Sequence, residues 1–149
     1  MIHKVIFVSA NDASRGPMAE AIYKRMDTTG EVEVLSRGTV VLFQEPINPK
    51  VLLVLGNHET RCEKERSTPF DPKEVTEDTL VLTMDERQKN QIYDNYGISN
   101  RVYTIKEFVS ERGDVIDPYG LSLMDYQDCY MELVRLIKKV IYRLTENRA

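Results

Sequence analysis

Ser9 and Arg15 mark the two ends of a short polar segment within VSANDASRGPMAEA, which joins an apolar run to a sequence typical of a helix. The arginine side chain presents a planar fork of N–H donors that matches two oxygens of a phosphate group. Backbone N–H groups of a tight loop entering a helix also favour an anion, because their dipoles point toward one spot. The spacing alone leaves two interpretations open: an anion-binding loop, or a turn whose arginine pairs with an acidic residue elsewhere.

The segments around this loop alternate between strand and helix patterns. β-branched apolar runs or strict alternation predict strands at HKVIFVS, EVEVLSRG, DTLVLTM and NRVYTI. Helices are predicted from Pro17 to about Asp27, over NPKVLLVLGNH with Asn48 as its cap, and over DERQKNQIYDNYG, where Gly97 ends the helix. Each helix thus falls between two strands.

The last predicted helix has the clearest pattern. It begins at a capping box formed by Ser122 and Asp125. Its apolar residues recur at intervals of three and four and therefore share one face. These residues are Leu123, Tyr126, Tyr130, Leu133, Ile137, Val140 and Leu144.

Alternating strands and helices imply parallel pairing with helices on both faces of the sheet. We therefore expect one domain over residues 1–149, an α/β three-layer sandwich around a four-stranded parallel sheet. In such sheets, ligands bind beyond the carboxyl ends of the strands. Residues 9–16 follow the first strand and lie where a site is expected.

Length and composition exclude several classes of protein. The chain has 149 residues, 42% hydrophobic and 30% charged, as is ordinary for a globular domain. A net charge of −4 gives no electrostatic reason to expect nucleic acid or an anionic membrane as partner. No segment approaches the roughly 18 apolar residues of a membrane span, and no signal peptide is recognisable. Two cysteines do not make a disulfide framework, so a cytoplasmic protein is expected.

The loop resembles the phosphate loop of the low-molecular-weight protein tyrosine phosphatases. That loop reads Cys, five residues, Arg, Ser and then Pro-Met-Ala-Glu. Here the corresponding residues are Ser9, residues 10–14, Arg15 and Gly16, followed by PMAE. Three further stretches resemble the family in order: SRGTVVLFQEPINPKVLLVL, LVLTMDERQK and DVIDPYGLSLMDYQDCYMEL. The resemblance covers most of the chain and implies the family's fold and a phosphate-like anion or phosphorylated protein as partner.

The resemblance also implies roles for individual residues. Ser9 stands at the nucleophile, Arg15 at the anion-binding arginine and Asp117 at the general acid that protonates the leaving oxygen. Tyr119 would line the rim of the pocket, with Leu42 or Phe43 near the opposite wall. Without the resemblance, DPYG is most simply a turn.

The remaining loop residues would surround the substrate. They are Ala10, Asn11, Asp12, Ala13 and Ser14.

Ser9 is the largest departure from the family pattern, because the family mechanism needs a cysteine thiolate. A thiol has an unperturbed pKa of about 8.5, whereas a serine hydroxyl ionises far less readily and needs an adjacent general base. Neither His3 nor His58 is placed in the sequence to act as that base. Asp12 is nearby, but a carboxylate beside a phosphate dianion is repelled by it. A weak or inactive phosphatase-like protein is therefore expected.

Five further loop positions differ from the family. Asp12 replaces an asparagine that braces the loop, and Gly16 replaces a serine whose hydroxyl supports the thiolate. Asn11 stands at a usual glycine, so a positive φ there would carry strain. Ser14 stands where many members have a second cysteine, and Ala13 where they have a larger side chain. A lone Cys→Ser change also describes an engineered substrate trap, but the changes at 11, 12 and 16 favour natural divergence.

Three functional hypotheses remain. In the first, the loop binds phosphate-like groups but turns them over poorly or not at all and forms no phosphoenzyme. In the second, the protein is a working phosphomonoesterase for phosphotyrosine or phosphoarginine, using Ser9, or water assisted by Asp117. In the third, the protein is an interaction module without an anion site, in which Asp12 forms a salt bridge with Arg15.

Other reactive residue types have simpler explanations. His58 and Cys62 are four residues apart, but two ligands do not make a metal site, and no metal or cofactor is expected. Cys129 is interpreted as a small, partly buried side chain of the last helix. The mixed charges of RCEKER predict a solvated face.

Overall fold

The computed structural model describes residues 1–146, and within them it contains four strands that form one parallel sheet. The strands are β1 (Lys4–Ser9), β2 (Glu33–Gly38), β3 (Thr79–Thr83) and β4 (Val102–Thr104). Their order in the sheet is β2-β1-β3-β4. β1 therefore lies between β2 and β3 and pairs with both.

The helices begin and end at recognisable signals. They are α1 (Arg15–Met26), α2 (Pro49–Asn57), α3 (Glu86–Tyr96), α4 (Ile105–Phe108) and α5 (Leu123–Glu146), with a 3₁₀ turn at Pro72–Glu74. The Asn48 side chain caps α2 by accepting from the Lys50 N–H at 2.9 Å. Gly97 ends α3 with a φ of 69°, in the left-handed region that favours glycine.

Alternation along the strands divides the core into two clusters. Val5 and Phe7 belong to the larger cluster, which also contains buried residues of α1, α2 and α5. Ile6 and Val8 belong to the smaller cluster, which includes Ile92 of α3. The sheet is thus covered on both faces, and the predicted α/β sandwich with a four-stranded parallel sheet is confirmed.

The structure differs from the predicted elements in details. α1 begins at Arg15, two residues before the predicted start, and Pro17 lies within its first turn as predicted. Leu123 is 39% exposed, because it opens α5 beyond the edge of the core. The four-residue α4 and the 3₁₀ turn were not predicted, since elements so short show no periodicity.

The topology brings the ends of β1 and β3 together. The chain leaves β1 through α1 on one face of the sheet and leaves β3 through α3 on the other. Such a reversal opens a crevice at the carboxyl ends of the two strands. No helix within residues 1–146 is both long enough and apolar enough to cross a bilayer.

Candidate active site

The loop between β1 and α1 is tied to neighbouring segments through its backbone. The N–H groups of the two residues after Gly38 donate to the carbonyl oxygens of Ser9 and Ala10, at 3.0 and 2.8 Å. Asn48 N–H donates to the carbonyl of Ala13 at 3.1 Å. A Cβ on Gly38 would lie 2.8 Å from the Ala10 oxygen, so this close approach requires glycine. The loop conformation is therefore set by two distant parts of the chain.

Asp12 is buried at the turn of this loop. Its φ is 54°, a left-handed value that aspartate tolerates better than most residues. Its Oδ2 accepts the Thr68 N–H at 2.8 Å and forms an ion pair with Lys64 Nζ at 2.9 Å. Burial raises the pKa of Asp12, while Lys64 and the hydrogen bonds oppose part of that rise. The carboxylate thus braces the loop, with a lysine to balance its charge.

This environment bears on three statements made from the sequence. The positive φ occurs at Asp12, whereas Asn11 uses its side-chain oxygen to accept the Ala13 N–H at 3.3 Å. The salt bridge between Asp12 and Arg15 that the interaction-module hypothesis invoked does not form, because Asp12 pairs with Lys64. Lys64 comes from the RCEKER segment, but its side chain is only 9% exposed, so this part of the segment is not a solvated face.

Arg15 opens α1, and its side chain is 3% exposed. Nη1 donates to Asp85 Oδ2 at 2.9 Å and to the carbonyl of Val115 at 2.7 Å. Nη2 lies 3.7 Å from Asp117 Oδ2. The guanidinium therefore joins the end of β1 to the segment after β3 and to the segment before α5.

Asp85 is a site residue that the sequence analysis did not single out. It caps α3 by accepting the Arg87 N–H at 3.0 Å, and its other oxygen receives Arg15. Partial burial alone would raise the pKa of Asp85, but Arg15, Gln88 and the Arg87 N–H together hold it below its usual range. A signal was present, because LVLTMDERQK places a capping aspartate directly after a buried strand.

Asp117 and Tyr119 come from the segment before α5 and lie near the loop. Asp117 Oδ1 accepts the Tyr119 N–H at 3.1 Å, and the Asp117 side chain is 39% exposed. The Tyr119 side chain borders a groove of about 320 Å³ together with Asn11, Leu42 and Phe43. The structure thus brings together the aromatic residue and the opposite wall that the resemblance implied.

Ser9 is the last residue of β1 and is 1% exposed. Its Oγ accepts the backbone N–H of Asp12 at 3.2 Å. A Cβ on Gly16 would lie 3.0 Å from Ser9 Oγ and 3.1 Å from Asp12 Oδ1. The hydroxyl of Ser14, just before α1, is buried without a hydrogen-bond partner among residues 1–146. The residues at which the loop departs from the family pattern are therefore close neighbours.

The remaining histidine and cysteine candidates have structural partners, and only Cys129 lies near Arg15 and Asp117. The His58 ring stacks on Tyr130 at 4.3 Å, and the Cys62 thiol donates to the Lys64 carbonyl at 3.4 Å. Burial raises the pKa of Cys129 to about 12. Residues 1–146 contain no cluster of three or more side chains that could hold a metal ion.

The sequence as a whole matches a family of known enzymes. The family model described as low molecular weight phosphotyrosine protein phosphatase matches residues 4–149. The low molecular weight protein-tyrosine-phosphatase PtpB of Staphylococcus haemolyticus is 32% identical over 137 residues, which cover 92% of this chain and 96% of that protein.

Solved structures of arginine phosphatases are similar as well. A Cys-to-Ser mutant of the arginine phosphatase YwlE, with a phosphorylated active-site serine, is 30% identical, with a TM-score of 0.89 and 97% of each chain covered. YwlE from Geobacillus stearothermophilus is 26% identical, with a TM-score of 0.90, covering 98% of this chain and 95% of that one.

Proposed function

Because this chain belongs to the low molecular weight phosphotyrosine protein phosphatase family, we propose that it binds phosphate monoesters and related anions in the loop from Ser9 to Arg15. It turns them over far more slowly than a family member with a catalytic cysteine. In this proposal residues 1–149 act as a single phosphatase-like domain. The protein is predicted to be cytoplasmic.

The placement of Arg15 is the observation that carries the proposal. Both of its hydrogen bonds with residues 1–146 are donated by Nη1, to Asp85 and to the Val115 carbonyl. Nε and Nη2 form the remaining edge of the fork, which suits two oxygens of one phosphate group, with Asp117 Oδ2 3.7 Å from Nη2. The first N–H groups of α1 lack acceptors within the helix and add favourable dipoles. A buried arginine held in this way is preorganised for an oxyanion.

Different residues of the loop and its surroundings have different proposed roles toward the bound anion. We assign Ala10, Asn11, Asp12, Ala13 and Ser14 to the walls of the binding site, and Tyr119 to its rim. Asp117, near the Arg15 fork, is the proposed proton donor to a leaving group. Ser9 limits turnover, since an alcohol is a poorer nucleophile and a poorer leaving group than a thiol.

The relatives suggest which phosphoryl groups to test. PtpB is named a protein-tyrosine-phosphatase and YwlE an arginine phosphatase, so phosphotyrosine and phosphoarginine are the first candidates. The phosphorylated active-site serine of the YwlE mutant supports the view that a serine in such a site can hold a phosphoryl group. The Asp12–Arg15 salt bridge that motivated an interaction module without an anion site does not form, since Asp12 pairs with Lys64. Arg15 pairs instead with Asp85 at 2.9 Å, as in the second interpretation of the loop, so anion binding itself must decide between the two.

Calorimetry with inorganic phosphate and orthovanadate tests the proposal. We expect the wild type to bind both anions, and Arg15→Ala to bind them at least 30-fold more weakly, about 2 kcal/mol, since a charge-assisted pair is lost. Arg25→Ala is the matched control, because Arg25 lies at the far end of α1 and bonds to the backbone of His58. Absence of binding in the wild type, or equal binding in Arg15→Ala, would refute the anion site.

A further inference from the structure

Three residues that depart from the family pattern meet at one point in the structure. Ser9 Oγ and Asp12 Oδ1 both lie beside Gly16, at 3.0 and 3.1 Å from the position of a Cβ on that residue. Any side chain at position 16 would press against both oxygens. The alcohol, the carboxylate and the glycine are therefore one local arrangement and not three separate changes.

The hydrogen bonds of these residues leave the Ser9 hydroxyl hydrogen free to be donated and leave Asp12 Oδ1 free to accept a hydrogen bond. Ser9 Oγ is the acceptor of its bond from the Asp12 N–H, so its own hydrogen remains to be donated. Asp12 is fully buried, and its Oδ1 forms no hydrogen bond of good geometry within residues 1–146, although the Ser36 side chain lies near the carboxylate and lowers its pKa. A buried polar atom without a partner is costly, so its retention calls for a reason.

We propose that Asp12 is the general base for Ser9, and that Ser9 accepts a phosphoryl group and keeps it as phosphoserine. The proposal rests on the proposed function, because the phosphoryl donor must first bind at Arg15. It departs from the expectation that no phosphoenzyme forms.

The transfer step balances with the residues present. The Ser9 oxygen forms a bond to phosphorus while the bond from phosphorus to the leaving oxygen or nitrogen breaks. The Ser9 proton passes to Asp12 Oδ1, directly after a side-chain rotation or through one water, and Asp117 protonates the leaving group. In protein kinases an aspartate likewise accepts the proton of the hydroxyl that receives the phosphoryl group.

The charge of Lys64 reduces the repulsion between the Asp12 carboxylate and a bound phosphate dianion. A lone carboxylate would repel a phosphate dianion, but the Asp12 charge is paired with Lys64 Nζ at 2.9 Å on Oδ2. The unpaired oxygen, Oδ1, is the one beside Gly16. Burial also raises the pKa of Asp12, which makes it a stronger base than an exposed aspartate.

The second half of a phosphatase cycle is slow in this site. Phosphoryl transfer passes through a loose transition state, in which the bond to the leaving group is largely broken. Its rate therefore depends on how well the leaving group holds negative charge. A nitrophenolate leaves readily in the first step, whereas hydrolysis of phosphoserine must expel a serine alkoxide. The phosphorylated protein consequently accumulates.

Incubation with 4-nitrophenyl phosphate tests the inference. We expect a burst of about one nitrophenolate per chain, followed by a much slower phase. Intact mass spectrometry should then show one added phosphoryl group, and peptide fragmentation should place it on Ser9. Asp12→Asn should form the adduct about 100-fold more slowly, because the base is lost. Glu20→Gln, which changes another buried carboxylate near Lys64, should form it at the wild-type rate.

Anion binding separates the failure of this inference from the failure of the proposed function. If phosphate binds to the wild type but no adduct forms, or if Asp12→Asn forms it equally fast, the base assignment is overturned. If phosphate does not bind, the proposed function fails first. The double variant Asp12→Asn with Lys64→Met carries no unpaired buried charge and should show the same slow transfer, which keeps the test valid if Asp12→Asn alone unfolds.

Discussion

Ser9→Cys raises the steady-state turnover of 4-nitrophenyl phosphate on the order of a thousandfold, about 4 kcal/mol in the barrier. The reason is that sulfur improves both half-reactions, since a thiolate attacks without a strong base and leaves more easily than an alkoxide. The burst seen with serine should disappear, because the covalent intermediate no longer accumulates. Steady-state and stopped-flow measurements of nitrophenolate release check this result.

The matched control for this prediction is Ser9→Cys combined with Arg15→Ala, which should return turnover to the wild-type level. Labelling with iodoacetamide at neutral pH gives a second readout. The natural thiols react slowly, because burial raises the pKa of Cys62 and raises that of Cys129 to about 12. The thiol introduced at position 9 should react faster. Persistent inactivity of a folded Ser9→Cys variant would show that the loop no longer supports thiol chemistry.

Asp12→Asn should act in opposite directions on the two nucleophiles. With Ser9 it removes the base and slows transfer, as proposed above. With Ser9→Cys it removes a negative charge that disfavours the thiolate, so turnover should rise further. A purely structural role for Asp12 would instead lower activity in both backgrounds, so the sign of the effect distinguishes the two roles.

Lys64→Met destabilises the protein by about 3–5 kcal/mol, because it leaves the Asp12 carboxylate buried without its cation. Methionine fills a similar space, so the loss reports charge more than packing. Chemical denaturation at neutral pH measures it. Lys89→Met is the control, since the Lys89–Glu107 pair at 2.8 Å is partly exposed and contributes little. An equal loss in both variants would contradict the assigned role of Lys64.

A second substitution and the pH dependence of stability test whether the unpaired Asp12 charge causes the destabilisation by Lys64→Met. Adding Asp12→Asn to Lys64→Met should restore most of the lost stability, because no buried carboxylate then remains unpaired. The folded pKa of Asp12 lies above its ordinary value, so its protonated form favours folding. That favourable contribution is complete below the unfolded pKa of about 4 and is lost as pH rises through the folded pKa. The penalty of Lys64→Met should therefore shrink from pH 7 toward pH 4.

Much of this molecule could be predicted from local patterns in the chain. The four strands, the capping of α2 by Asn48 and the end of α3 at Gly97 all depend on neighbours within a few residues. The loop from Ser9 to Arg15 was identified for the same reason, since its residue types and spacing are contiguous. Alternation of strands and helices then predicted the parallel sheet and the edge at which the loop lies.

The partners of the buried charges could not be predicted in this way. Arg15 and Asp85 are 70 residues apart along the chain, and Lys64 comes from a segment whose composition indicates a solvated surface. Periodicity reports which face of an element is apolar, but it does not report which distant side chain packs against a given carboxylate. A buried ion must find its counterion among segments that meet only after folding. For that reason the sequence could offer Arg15 as a partner for Asp12 in one hypothesis, whereas the folded chain pairs Asp12 with Lys64.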